Sequence, residues 1–158
     1  MKNYIKLCLL ALSLFSLSAC CSKKEMANKT KKENTITHTV LLQDSNINIM
    51  EEKKMIIDNQ EDLVEFYNQL NATRSPGFEV PKVDFKNQSI IIVSMGEKST
   101  GGYKVSVPQY TDRNGIYYDF DYEMPIAGAP ATMSMTTPGI VVLANQPASK
   151  IKVRVDNK

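Results

Sequence analysis

The chain has 158 residues, 42% hydrophobic and 23% charged, with a net charge of +2, no tryptophan and a single histidine. Its charge is uneven: residues 1–19 carry +2 and residues 20–35 carry +3, which leaves −3 for residues 36–158. A domain with that balance has no basic excess to hold nucleic acid. One histidine also argues against the Ser-His-Asp and Cys-His arrangements of hydrolases and against most zinc sites.

At the N-terminus, Lys2 and Lys6 precede an almost unbroken apolar run, Leu7–Leu17. At about 1.5 Å per residue this run is too short for a bilayer core of roughly 30 Å, so it reads as a signal-peptide core rather than a permanent membrane helix. It ends in Leu17-Ser18-Ala19-Cys20, which resembles the lipobox of bacterial lipoproteins. The resemblance implies cleavage before Cys20 and acylation of the Cys20 thiol, with the mature chain held on a membrane by more than one lipid chain. The expected location is the cell envelope, facing the periplasm or exterior, with the outer membrane ahead of the inner. Cys8 leaves with the signal and Cys20 is taken by lipid, so Cys21 alone remains and the mature domain forms no intramolecular disulfide.

Residues 22–35 hold five lysines and two glutamates without apolar periodicity. Such a segment buries too little surface to offset its ordering entropy and reads as a flexible basic spacer. The expected organisation is therefore a signal over 1–19, an anchor and spacer over 20–35, and one domain over 36–158.

Within that domain, Ile36–Gln43 and Ile47–Ile57 contain Ile-, Val- and Leu-rich runs and read as a first pair of strands. Asp58 with Glu61 three residues later suggests a helix N-cap. Leu63, Phe66, Tyr67 and Leu70 then recur at helical spacing, giving about three turns with one apolar face. Asn71–Pro81 is a loop. Ser89–Met95 is continuously apolar and β-branched, as a strand covered on both faces should be. After a turn at Gly96–Gly102, Tyr103, Val105 and Val107 alternate with polar residues as a half-exposed strand, and Pro108–Gly115 reads as another turn. Ile116, Tyr118, Phe120, Tyr122 and Met124 alternate with Tyr117, Asp119, Asp121 and Glu123, which places the first set inward. Gly139–Ala144 and the alternating Ile151, Val153 and Val155 complete the strands. The fold class expected is α+β: a single domain with an about seven-stranded, mostly antiparallel sheet and one short helix on one face.

Chemistry-bearing residues are sparse. His38 stands beside the spacer and reads as a surface histidine. Asp119, Asp121 and Glu123 share one face of a strand; a hard cation such as calcium is one reading of them, and complementing Lys150, Lys152 and Arg154 is the other and better one. No catalytic residue, metal ligand or cofactor is assigned. Ser99-Thr100-Gly101-Gly102-Tyr103 is the most distinctive string, in which two glycines permit a tight link between strands. The segment 125–138 is rich in small residues and carries Met133 and Met135, readable either as adaptable contacts or as core filler.

Taken in order, Val83-Asp84-Phe85, the Ile-rich strand, the string from Gly96 to Tyr103 and Thr136-Thr137-Pro138 before an apolar strand resemble the C-terminal domain of the PrcB family of protease-complex accessory subunits. The likeness runs from about Ile56 to Val155. It implies a non-catalytic lipoprotein that associates with an extracytoplasmic protease complex, with Thr100, Gly101, Gly102, Tyr103, Met133, Met135 and Pro138 as candidate partner contacts. Gly139 departs from the pattern, which has a larger residue after the proline. Thr100–Tyr103 is also similar to the Thr-Thr-Gly-Tyr loop of chagasin-like cysteine-protease inhibitors, although those use tryptophan and this chain has none. That similarity gives a protease inhibitor as the competing expectation.

Overall fold

The computed structural model describes residues 37–112, 115–128 and 130–156. The expected signal, Cys20, Cys21 and the basic spacer lie outside the described residues. Eight strands and one α-helix follow in the order β1 (His38–Asp44), β2 (Glu52–Ile57), α1 (Gln60–Asn71), β3 (Ser89–Met95), β4 (Lys104–Val105), β5 (Gln109–Asp112), β6 (Ile116–Glu123), β7 (Gly139–Ala144) and β8 (Ile151–Asp156).

These form two four-stranded sheets rather than the one larger sheet expected. Sheet 1 is antiparallel throughout, in the order β1-β7-β3-β2. Sheet 2 is built on β6, with β4 and β5 pairing antiparallel to it and β8 pairing parallel. The reason for two sheets is legible in the burial. β3 is buried at every residue, so each face of sheet 1 needs its own cover. On one face Ile91, Val93, Met95, Ile140 and Val142 pack with Val105, Tyr118, Phe120 and Tyr122 of sheet 2. On the other, Ile90, Ile92 and Val141 pack with Leu63, Phe66, Tyr67 and Leu70 of α1. The result is three layers, helix on sheet on sheet. Fully burying each such side chain contributes about 1.5–3 kcal/mol.

Several boundaries move for local reasons. The helix is capped by Asn59, not Asp58: Asn59 Oδ1 accepts from Asp62 N–H at 2.9 Å, and Asn59 Nδ2 donates to Asp62 Oδ2 at 2.8 Å. The capping pattern is the one expected, shifted by one residue. Ile47 and Ile49 are buried but precede β2, because the chain there turns through Asn48 at φ 56°. The stretch read as a turn at 108–115 contains β5. β4 and β5 lie on the same side of β6 but are offset by one residue: Val105 faces Tyr122, whereas Gln109 faces Asp119. Pro108 has no N–H to give the ladder, and Ser106 Oγ instead accepts from Asp121 N–H at 2.7 Å. The two short strands therefore act as one bulged strand, and Val107 at the bulge is exposed.

The inward set of β6 is as expected except at its end, where Met124 is exposed. Tyr118 is fully buried, with its ring edge-on to that of His38 at a centroid distance of 6.0 Å. Its hydroxyl has no hydrogen-bond partner among the described residues. Burial, with a smaller contribution from Tyr110 nearby, pushes its pKa from 10.0 up to about 12. Burial moves Tyr67 and Tyr122 in the same direction. An unfolded chain releases these protons at lower pH than the folded one, so the folded state binds more protons above pH 10 and stability falls as pH rises through that window. Tyr118→Phe is expected to flatten the loss between about pH 10 and 12 and, by removing an unsatisfied hydroxyl, to cost less than about 1 kcal/mol at neutral pH. Urea midpoints measured across that range check it; an unchanged slope assigns the alkaline loss elsewhere.

Candidate functional site

The turn that follows β3 is fastened to two other loops. Gly96 takes φ +70°, and Glu97 N–H then donates to Met50 O at 3.0 Å in the loop before β2. Lys98 and Thr136 exchange both backbone hydrogen bonds, at 2.8 and 2.9 Å. Thr136 Oγ1 donates to Thr100 O at 3.0 Å, and Gly101 N–H donates to Thr132 O at 3.0 Å. The two stretches singled out in the sequence, Thr100–Tyr103 and the methionine-bearing segment, are therefore neighbours.

Their residues have different parts. Gly101 is buried, and a Cβ there would lie 2.3 Å from Thr132 Oγ1, so its bareness sets the approach of the two loops. Gly102 has φ +92°, and a Cβ would meet that of Pro125 at 2.9 Å. Thr100 and Tyr103 are half-buried, and Tyr103 packs against the core between the sheets, with Lys98 Nζ 5.7 Å from its ring centroid. Pro138 is buried and its carbonyl accepts from Met95 N–H at 2.9 Å. As a candidate contact it is corrected: it belongs to the scaffold, because a buried ring offers a partner no surface.

Met133 and Met135 are the opposite case, 94% and 69% exposed, so the core-filler reading of them fails. Three further apolar side chains stand beside the same loops: Met50 at 62%, Met124 at 52% and Ile126 at 80% exposed. The periodicity of β6 had assigned Met124 inward and a strand pattern had absorbed Met50. The available signal was apolar residues directly flanking Pro125 and preceding Gly128, where no strand can bury them. Met50, Met133 and Met135 thus stand exposed on loops bridged at four points, and Met124 and Ile126 flank Pro125, which abuts Gly102 of the same turn. Methionine suits such a surface, since its unbranched thioether adapts to varied contacts.

Arg154 pairs with Asp119 through two hydrogen bonds, 2.7 Å from Nε and 3.0 Å from Nη2, as expected for facing acidic and basic strands. This hydrogen bonding to Asp119 holds the guanidinium pKa above its usual value. Arg154 and Lys152 also stand over the Tyr117 ring, at 4.3 and 5.6 Å. A polar cleft of about 380 Å³ lies there, lined by Asp119, Asp121, Arg154 and Asp156 among others. Among the described residues no three His, Cys, Asp or Glu side chains are placed to share a metal ion. Nor, among them, is any helix long and apolar enough to cross a membrane.

Residues 89–143 match the family model described as PrcB C-terminal. The PrcB resemblance is thereby shown for that stretch, which is narrower than the span from Ile56 to Val155 expected. It opens at the first residue of β3 and closes one residue before the end of β7, so it contains the Gly96–Tyr103 turn, the 125–138 segment and Pro138. Met50, α1 and β8 lie outside it. No curated protein and no solved structure matches the chain. Within the PrcB-type stretch, Gly139 has a physical reason for its departure: a Cβ there would lie 2.1 Å from Ile47 Cδ1 and 2.8 Å from Val93 O.

Proposed function

We propose that this chain is a non-enzymatic lipoprotein, tethered through Cys20, that docks a protein partner by its methionine-bearing corner and serves as an accessory subunit of an extracytoplasmic protease complex. The observation that carries the reading is the exposure of Met133, Met135 and Met50 on loops whose backbones are tied together, with Met124 and Ile126 exposed on either side of Pro125 next to Gly102. Leaving large apolar side chains in water on an ordered frame has a cost that a partner would relieve. The PrcB C-terminal match, which spans the Gly96–Tyr103 turn and residues 124–135 but not Met50, supports a subunit role. The inhibitor alternative gains no support: the Thr100–Tyr103 turn is laced to residues 132–136 and has its glycine buried, which does not suit insertion into a protease cleft.

The test is capture of the tagged protein from the membrane fraction after mild crosslinking, with partners read by mass spectrometry. A protease should be recovered, and Cys20→Ser should move the bait to the soluble fraction. Met133→Asp with Met135→Asp should cut recovery about thirtyfold, on the order of the 2 kcal/mol of a binding hot spot, with the thermal midpoint unchanged. Recovery that is indifferent to those two residues overturns the assignment of the corner, and absence of any protease overturns the subunit reading.

A further inference from the structure

β2 is an edge strand, paired with β3 on one side, and among the described residues no strand lies beyond it. The direction of its unpaired groups follows from the ladder. Met95 N–H is given to Pro138 O on the β7 side, so the alternate residues Ser94, Ile92 and Ile90 turn their backbone groups toward β2. Their register partners are Lys53, Met55 and Ile57. Glu52, Lys54 and Ile56 therefore present N–H and C=O groups outward, in the spacing a further strand would need.

A groove accompanies this edge. Two adjoining cavities of about 270 and 260 Å³ run between β2 and α1 and share Lys53, Met55 and Gln69. Ile49 and Phe66 add apolar lining, and Glu51, Asp62 and Glu65 add negative charge. The helix supplies Glu61, Asp62 and Glu65 and no lysine or arginine over Gln60–Asn71. An added strand here would find hydrogen bonds from the edge, apolar pockets at alternate positions and an acidic wall.

We propose that the β2 edge and the β2–α1 groove receive an extended segment of a partner protein as a fifth strand of sheet 1. Its alternate apolar side chains enter toward Met55 and Phe66, and a lysine or arginine on the same face meets Asp62 and Glu65. Main-chain bonds would supply the affinity and the alternate side chains the selectivity. A second copy of this chain fits poorly in the register centred on Lys54, where antiparallel self-pairing of β2 sets the two Lys54 side chains opposite one another, and sedimentation decides the remaining registers. This surface is separate from the methionine-bearing corner apart from its border at Met50, and it stands whether or not that corner binds a protease complex.

The probe is a positional library of capped octapeptides screened against the full chain in detergent. β-branched residues should be enriched at alternate positions, with lysine or arginine at one of them. The best peptide should bind Glu65→Lys at least tenfold more weakly, and an acidic replacement in the peptide should recover binding to that variant. Ile56→Pro removes one outward N–H at an edge position and should weaken binding at least tenfold. Should that variant fold poorly, N-methylation of alternate peptide amides should abolish binding to the unaltered chain. No enrichment, enrichment without a basic preference, or indifference to N-methylation overturns the proposal. So does a dimer broken by Ile56→Pro in sedimentation, or peptide binding seen only after residues 22–35 are deleted, which would give the edge to a second copy or to this chain's own lysines.

Discussion

Gly139→Val should be the most damaging single change in the domain, lowering stability by about 3 kcal/mol or more. Gly139 opens β7 in the centre of sheet 1, where it pairs with Ser94 of β3 and with Asp44 of β1. A Cβ would be 2.1 Å from Ile47 Cδ1, 2.8 Å from Ile47 Cγ1 and 2.8 Å from Val93 O. The first two contacts involve a side chain that can turn, but Ile47 is fully buried and has little room to do so. The third is backbone of a central strand and cannot retreat without breaking the ladder. Overpacking of a tight interior generally costs 1–3 kcal/mol, and obstruction by main chain places this site at the upper end or beyond. Denaturant unfolding of Gly139→Ala, Ile47→Ala and the pair would separate the terms. Ile47→Ala alone should cost about 2–5 kcal/mol through its cavity. In the Gly139→Ala background it should cost at least 1 kcal/mol less, because it also removes the clash; strict additivity would show that Ile47 is not what excludes a side chain at 139.

The second large effect is expected at Asn48. Its side-chain amide donates to Leu70 O at 3.0 Å, to Gln69 O at 3.3 Å and to Thr73 Oγ1 at 2.9 Å, closing the C-terminal end of α1 from a distant loop. Gln69 Nε2 returns a bond to Asn48 O at 2.9 Å. The backbone is held as well, with Asn48 N–H donating to Thr137 Oγ1 at 3.0 Å. Asn48→Ala takes the side-chain donor from Leu70 O and leaves Gln69 O with Ala72 N–H alone, at 3.2 Å, and it forces a Cβ-bearing residue without a polar side chain to keep φ 56°. A loss of about 2–3 kcal/mol follows from those two terms together. Asn48→Gly separates them, since glycine accepts the positive φ and forfeits only the hydrogen bonds; it should fall between wild type and alanine. Equal midpoints for the glycine and alanine variants would mean the backbone conformation carries no cost.

The strands whose pattern is set by the layers were readable in the sequence. Ser89–Met95 declared its burial on two faces, and the alternation of Ile116–Glu123 declared a sheet with one wet side. The division into two sheets was not readable, because alternation reports that a strand has a buried face and is silent on which sheet shares it. The β5 strand was hidden behind Pro108, a residue that normally ends a ladder and here sits in a bulge that resumes it. At the candidate site the glycines and the methionine segment stood out by composition. Their adjacency did not, since it depends on the Lys98–Thr136 bridge between residues far apart in the chain. Pro138 was misjudged for the same reason: its conspicuous place before a strand marks a buried corner, and burial is invisible to a motif.

The strand order of sheet 1 also fixes when this domain can exist during synthesis. β1 sets His38 opposite Ala144, and β3 has β7 as its neighbour on one side. A growing chain that has not yet supplied Gly139–Ala144 leaves the first strand without a partner and the most apolar strand with a bare edge, while sheet 2 still awaits β8 to flank β6. The domain closes late, almost at its final residues, and such distant pairings are slow to find. A copy that stops short of β7 is therefore a sticky, protease-sensitive thread, and the domain gains both its sheets only once residues 139–156 are available to it.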